Sequence, residues 1–274
     1  MALALLAAGA RWRRRAGRGR SGARRRDRGA ALAGPDLFNG TAGRLRFHLC
    51  LEAAVPGAGL AAAQRAAEPL LDVVDGIQSL GYAHGIAGIA DALLDLYEAT
   101  GDDRYAAVAR HVGRVLAAEA LPAEVGVAWP NTRGGAATGP AWCHGAGGIA
   151  RFLLHLAELD GDPDTLALAE RAVAAVDAGR WLSPVACHGL AGSIELLVDA
   201  APALGGQWLD RAHEIGAVLE AAHFEQGGRL VCGSESPRLV TPDLGLGYAG
   251  VAAAWLRLVA PERPTLLSVA RFAP

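Results

Sequence analysis

The 274-residue sequence contains no lysine, so arginine supplies all 26 of its basic side chains. Its four cysteines are too few for the disulfide framework of a small secreted protein. No apolar run approaches the roughly 20 residues that span a bilayer. The apolar residues 1–10 precede the positive charges, whereas a secretory signal has its charges first. These absences predict a cytoplasmic protein without a membrane span.

The charge is distributed unevenly along the chain. Residues 11–28 hold ten arginines and one aspartate, which leaves 16 of the 26 basic and 27 of the 28 acidic residues for the remainder. This composition predicts a disordered, Arg-rich N-terminal arm over residues 1–35, followed by an acidic folded body. Such an arm could contact nucleic acid or anionic lipid. We favour a solvated tail and expect no nucleic-acid partner.

Alternation of apolar and polar residues with period two, the signal of a half-buried strand, is absent over any useful length. The exception is residues 228–232, which we interpret as either a strand or a loop. Apolar spacings of three and four predict helices instead, such as one through Ile89 that stops near Gly101 and one that begins at Pro163. The sequence therefore predicts an all-α protein.

A Gly-x-x-Gly pair followed by an apolar helical run occurs five times. The leading glycines are 45, 60, 44 and 58 residues apart, at Gly40, Gly85, Gly145, Gly189 and Gly247. Periods of this size are typical of stacked or closed arrays of one supersecondary unit. The helix after each glycine pair is nearly all apolar and the next one is amphipathic, which predicts buried inner and solvent-facing outer helices. We therefore predict one α/α barrel of helix-pair repeats over residues 36–274.

Two of the repeats open on the same tripeptide, Cys143-His144-Gly145 and Cys187-His188-Gly189. Thiolate and imidazole are preferred ligands of zinc, and three protein ligands leave a fourth position open for chemistry. Equivalent corners of a repeat return to the same axis, so we expect the two tripeptides to lie close together. The alternative is that these are buried core residues at helix starts.

Three segments, residues 81–88 (GYAHGIAG), 141–145 (AWCHG) and 187–192 (CHGLAG), resemble the lanthionine synthetase C-like family in order and spacing. Enzymes of this family form the thioether rings of lanthipeptides. The resemblance covers residues 36–260 and implies an α/α toroid with seven inner and seven outer helices.

The resemblance also implies a site. It assigns a single zinc ion to Cys143, Cys187 and His188, and an acid–base role to His84. A substrate cysteine would bind the zinc as thiolate and add to a dehydroalanine or dehydrobutyrine of the same peptide, while His84 protonates the resulting enolate. The implied partners are a dehydrated precursor peptide and a separate dehydratase or kinase-like enzyme that prepares it.

The sequence departs from the family pattern in three ways. It shows five inner-helix repeats where the family has seven, so we expect a shortened toroid. The family repeat that carries an aspartate near the metal has no match between Gly43 and Gly85, and Gly139 stands where family members often carry arginine. A catalytically degraded member that keeps a structural zinc and binds a peptide or a synthetase partner is therefore the alternative function.

Other enzyme classes share the α/α barrel, including prenyltransferases and glycan-processing enzymes. They need Asp-rich motifs or paired carboxylates in the barrel. The inner helices here supply few acids, chiefly Asp91, Asp95 and Glu195, and Glu195 has no evident partner. Tyr82 and Tyr248 lie at the same end of the repeats and are candidates for lining a cavity.

Overall fold

The computed structural model describes residues 34–179, 183–235 and 240–265, and the predicted arm lies almost entirely outside this range. The described part is helical apart from two short antiparallel hairpins, one between α4 and α5 and one between α8 and α9. The helices are α1 (Thr41–Ala54), α2 (Leu60–Ala67), α3 (Ile86–Thr100), α4 (Asp103–Ala118), α5 (Ala146–Asp160), α6 (Pro163–Asp177), α7 (Leu190–Leu204), α8 (Gln207–Ala221) and α9 (Tyr248–Val259). The strands are β1 (Leu121–Pro122), β2 (Val127–Ala128), β3 (His223–Gln226) and β4 (Arg229–Cys232), so four of the five uncertain residues at 228–232 form a strand.

The helices form two layers, as the repeats predict. Helices α1, α3, α5, α7 and α9 each follow a repeat glycine and pack side by side in chain order, and each even-numbered helix packs mainly on the inner helix before it. In α5 every residue from Ala146 to Ala157 is buried. The prediction of an all-α, α/α toroid is confirmed. Within the described residues α1 and α9 do not form a comparable packed pair, and Phe47 and Val259 on these two helices are exposed.

The repeat glycines allow close approach of backbone to backbone. A Cβ atom at Gly88 would lie 1.9 Å from the carbonyl oxygen of Tyr82, in the turn that leads into the same helix. A Cβ atom at Gly148 would lie 2.1 Å from the carbonyl oxygen of Trp142 and 2.3 Å from the Cβ of Tyr82, which belongs to the preceding repeat. The second glycine of each pair therefore lets the turn fold tightly onto its helix.

Backbone hydrogen bonds join the turns that precede the inner helices. The amide of Phe38 donates to the carbonyl of Ala83 (2.9 Å), and the amide of Ala83 donates to the carbonyl of Cys143 (3.0 Å). The amide of Cys143 donates to Cys187 (3.3 Å), whose own amide donates to Gly245 (2.9 Å). Each of these residues stands two positions before a repeat glycine. This turn relay brings equivalent positions of successive repeats side by side.

Charged side chains cross the apolar interior at fixed positions, six and ten residues after the repeat glycines. We call this set the charge belt. The sign of its side chains alternates from one inner helix to the next. Its members are Arg46 on α1, Asp91 and Asp95 on α3, Arg151 and His155 on α5, Glu195 and Asp199 on α7, and Arg257 on α9. All of its members are buried, and oppositely charged members pair between neighbouring helices. Pairing is what makes burial of such charges tolerable.

Glu195 is paired across the charge belt with a basic residue. Its carboxylate lies 3.6 Å from the guanidinium of Arg257. The partner comes from a different repeat, and only the packing of α9 against α7 brings the two together.

None of the helices in the described part combines the length and the apolar character needed to cross a membrane.

Candidate metal centre

The structure brings Cys143, Cys187 and His188 together, the three residues that the family resemblance implies as ligands. One ligand atom from each residue lies within 4.8 Å of the other two. The turn relay explains this proximity, because Cys143 and Cys187 are directly hydrogen-bonded neighbours in it. Tetrahedral zinc with these ligands needs ligand atoms roughly 3.3–3.8 Å apart. Side-chain movements of about 1 Å would therefore fit this donor set to one zinc ion with a fourth position free.

A carboxylate lies beside the histidine of this set. Glu235, in the segment after β4, places its Oε1 3.3 Å from Nε2 of His188. Metal-binding histidines commonly present their second ring nitrogen to such a carboxylate, which orients the ring. Sequence reasoning missed Glu235, since a single acid in a polar loop carries no distinguishing signal.

His84 lies next to the same group, one repeat earlier. Its ring stacks on that of His144, with centroids 5.6 Å apart and planes inclined by 25°, and the edge of Phe38 packs against it. Its Nδ1 is 3.2 Å from Oδ2 of Asp36. Sequence reasoning missed Asp36, although its place at the head of the first repeat was an available signal. The structure thus places all four predicted site residues at one end of the inner helices.

Comparison with known proteins identifies the family. The sequence matches the family model for lanthionine synthetase C-like proteins over residues 23–270. The chain belongs to the lanthionine synthetase C-like family. Among solved structures it is similar to nisin cyclase, with a TM-score of 0.67 and 13% identity over 87% of this chain and 67% of that one.

The fold is shared more widely than the family. An inactive variant of an α-1,6-mannanase from Salegentibacter sp. HEL1_6, in complex with α-1,6-mannotriose, has a TM-score of 0.55 and 16% identity over 88% of this chain and 79% of that one. At these identities the likeness to both solved structures shows a common fold alone. No curated protein sequence matches the chain significantly.

In this lanthionine synthetase C-like chain the two thiols influence each other's protonation. The hydrogen bond between them lowers the pKa of Cys143 and, together with burial, raises the pKa of Cys187. Of the two thiols, Cys143 is therefore the easier and Cys187 the harder to deprotonate. A cation bound to both sulfurs would favour the loss of the second proton. The N-termini of α5 and α7, three residues after each cysteine, add partial positive charge that also favours thiolate.

Two aromatic side chains near the centre, those of His144 and Tyr82, lie in different surroundings. Burial lowers the pKa of His144, and the neighbouring His84 and His188 lower it further. Tyr82 is completely buried against the edge of Trp142, and its hydroxyl donates to Asp91 of the charge belt. The expectation that Tyr82 lines an open cavity is therefore wrong.

Proposed function

We propose that this chain is a zinc-dependent cyclase that forms thioether rings in a dehydrated peptide. The observation that carries the proposal is the convergence of Cys143, Cys187 and His188 beside a second histidine, His84, that is paired with Asp36. When bound, zinc supplies a Lewis acid that lowers the pKa of a coordinated substrate thiol.

The protein's own part begins with holding the metal and leaving room for substrate. Cys143, Cys187 and His188 supply three donors, and a tetrahedral zinc ion has one further position for a substrate cysteine. Glu235 lies 3.3 Å from Nε2 of His188 and could orient its ring, in which case Nδ1 would hold the metal. The open surface at His84 and His188, whose side chains are both partly exposed, gives a peptide access.

His84 is the group that we expect to move the proton. In the addition, a carbon–sulfur bond forms at the β-carbon of the dehydro residue, and the α-carbon must take up one proton. Asp36 accepts from Nδ1 of His84, so the imidazolium form of His84, after it has taken up the proton lost by the substrate thiol, can deliver its Nε2 proton towards the substrate. The proton lost by the substrate thiol balances the proton gained at the α-carbon. The reaction therefore consumes no nucleotide or organic cofactor.

The substrate in this proposal is a peptide with a cysteine and a dehydroalanine or dehydrobutyrine. A separate dehydratase or kinase-like enzyme would have to supply it. The competing function, binding of a peptide or a synthetase partner with zinc in a structural role only, makes the same metal prediction. It gives no role to the pair of His84 with Asp36, and this is why we favour catalysis.

A ring-closure assay tests the proposal. Zinc-loaded protein is incubated with a peptide that carries one cysteine and one dehydroalanine, and cyclisation is followed by loss of the alkylatable thiol and by tandem mass spectrometry. Cys187→Ala should lose both zinc and activity. His84→Gln should keep zinc and lose about a hundredfold or more in rate, the lower end of what a general acid contributes.

The matched control is His213→Gln on α8, an exposed histidine away from the centre, which should behave as wild type. A full rate in His84→Gln would contradict the assigned role. Zinc-loaded wild type that binds the peptide without closing a ring would favour the non-catalytic alternative.

A further inference from the structure

A second cluster of metal-binding donors combines two members of the charge belt, Asp95 and His155, with Glu98. One ligand atom from each of Asp95, Glu98 and His155 lies within 4.8 Å of the other two. Asp95 and Glu98 are on α3, and His155 is on the neighbouring α5. Nine residues separate His155 from the start of α5 at Ala146, which is roughly 14 Å at the helical rise of about 1.5 Å per residue. The cluster is therefore distinct from the cysteine-containing centre.

Two buried atoms in this cluster lack hydrogen-bond partners. Asp95 is 3% exposed, and although its Oδ2 accepts from Nε of Arg46 at 2.6 Å, its Oδ1 has no partner. His155 is 8% exposed, and its Nε2 lies 3.3 Å from Oε1 of Glu98 without the alignment of a hydrogen bond. Unsatisfied polar atoms at this depth are rare and costly, so they require an explanation.

The other ring nitrogen of His155 is already oriented. Nδ1 lies 2.7 Å from Oδ1 of Asp91, which is held in turn by Arg46 and by the hydroxyl of Tyr82. A carboxylate on one imidazole nitrogen, with the other nitrogen facing further donors, is the usual arrangement of a metal-binding histidine.

The charge around the cluster also favours a cation. Arg46 pairs with Asp91 and Asp95, and His155 lies beside Asp91 and Glu98, so three carboxylates meet one guanidinium and one imidazole here. A bound cation would therefore have carboxylate charge to neutralise.

We propose that Asp95, Glu98 and His155 form a second metal site, which binds a divalent cation through two carboxylates and one imidazole. This oxygen-rich set suits Mn²⁺, whereas the two cysteines of the first centre suit zinc. A bound cation would link α3 to α5 within the charge belt. The site does not depend on the proposed cyclase function.

Titration with Mn²⁺ tests this proposal. The full-length protein is loaded with one equivalent of zinc and titrated with Mn²⁺, and electron paramagnetic resonance measures the free ion. We expect one Mn²⁺ per chain. Glu98→Gln should weaken its binding at least about tenfold, because a ligand is lost. Glu98 is partly exposed, so this variant should remain folded, which circular dichroism checks.

Two further variants sharpen the result. Glu170→Gln, an exposed glutamate on α6, should bind Mn²⁺ as wild type does. Cys187→Ala should lose zinc but keep Mn²⁺, so the two centres can be judged separately. Absence of Mn²⁺ binding to folded wild type would overturn the proposal. Binding that Glu98→Gln leaves unchanged, or that Cys187→Ala abolishes, would overturn it too.

Discussion

Replacing Asp199 by asparagine should destabilise the protein far more than the same change at Asp160, although each carboxylate pairs with arginine. Asp199 is 8% exposed and lies between Arg151 and Arg257 of the charge belt, 2.8 Å from Arg257. Asp160 binds Arg110 at 2.7 Å at the surface, where the two side chains are 21% and 40% exposed. The two positions thus compare aspartate–arginine pairing in a buried and in an exposed environment.

The expected magnitudes follow from burial. Removing one partner of a buried ion pair leaves uncompensated charge and costs about 3–5 kcal/mol. An exposed pair contributes about 0.2–1 kcal/mol. Arg257 keeps Glu195 at 3.6 Å, so we expect about 4 kcal/mol for Asp199→Asn, within the usual range for a buried pair. At about 2–4 °C per kcal/mol for a domain of this size, its Tm should fall by about 8–16 °C.

Urea denaturation followed by far-UV circular dichroism at pH 7, with a thermal scan in parallel, measures both variants. Asp160→Asn should lose at most about 1 kcal/mol, or roughly 4 °C. Similar losses in the two variants would refute the argument that the alternating charges neutralise one another inside the protein. A loss below about 1 kcal/mol in Asp199→Asn would refute it as well.

Three further predictions concern the turns and the metal centre. Gly88→Ala should cost about 3 kcal/mol or more in unfolding experiments, because its Cβ would lie 1.9 Å from a carbonyl oxygen, whereas Gly76→Ala, with open space around it, should be nearly neutral. Asp36→Asn should leave zinc content unchanged and lower the cyclisation kcat by up to about a hundredfold, because His84 loses the group that orients it. An unchanged kcat would contradict this prediction. Chelation of zinc should lower the Tm of wild type by several degrees and leave that of Cys187→Ala unaffected, because a ligand stabilises only the fold that binds it.

Much of the helical framework could be predicted from the sequence. Each inner helix begins directly after its repeat glycine, at residues 41, 86, 146, 190 and 248. Gly101 and Gly161 end α3 and α5 in the left-handed conformation that glycine adopts readily. These signals are local in the sequence, so they can be recognised without knowledge of the tertiary contacts. The boundary between arm and domain at residues 35 and 36 stays a prediction.

Contacts between repeats were harder to predict. The charges of the belt are visible at fixed positions after each glycine, but Arg46 meets Asp91, and Glu195 meets Arg257, only once neighbouring inner helices pack. Asp36 likewise reaches a residue 48 positions later along the chain. Sequence periodicity predicts which face of a helix is buried and does not assign individual partners across that face.

The same limit applies within the metal centre. The proximity of Cys143 and Cys187 was predictable because the tripeptide is repeated, whereas the choice of His188 over His144 rests on the family resemblance. Glu235 was not predictable, since nothing in its segment resembles the other repeats.

The turn relay separates the atoms that maintain the fold from those that can carry chemistry. At the five equivalent positions the hydrogen bonds use only backbone amides and carbonyls, so the side chains are not constrained by them. Two positions hold the cysteines, and the others hold Phe38, Ala83 and Gly245. Ala83 is already the hydrogen-bonded neighbour of Cys143, and Gly245 that of Cys187. A new donor could therefore be introduced at Gly245, where a Cβ atom would have only Asp243 Oδ1 near it, at 3.9 Å, without a change in these backbone hydrogen bonds.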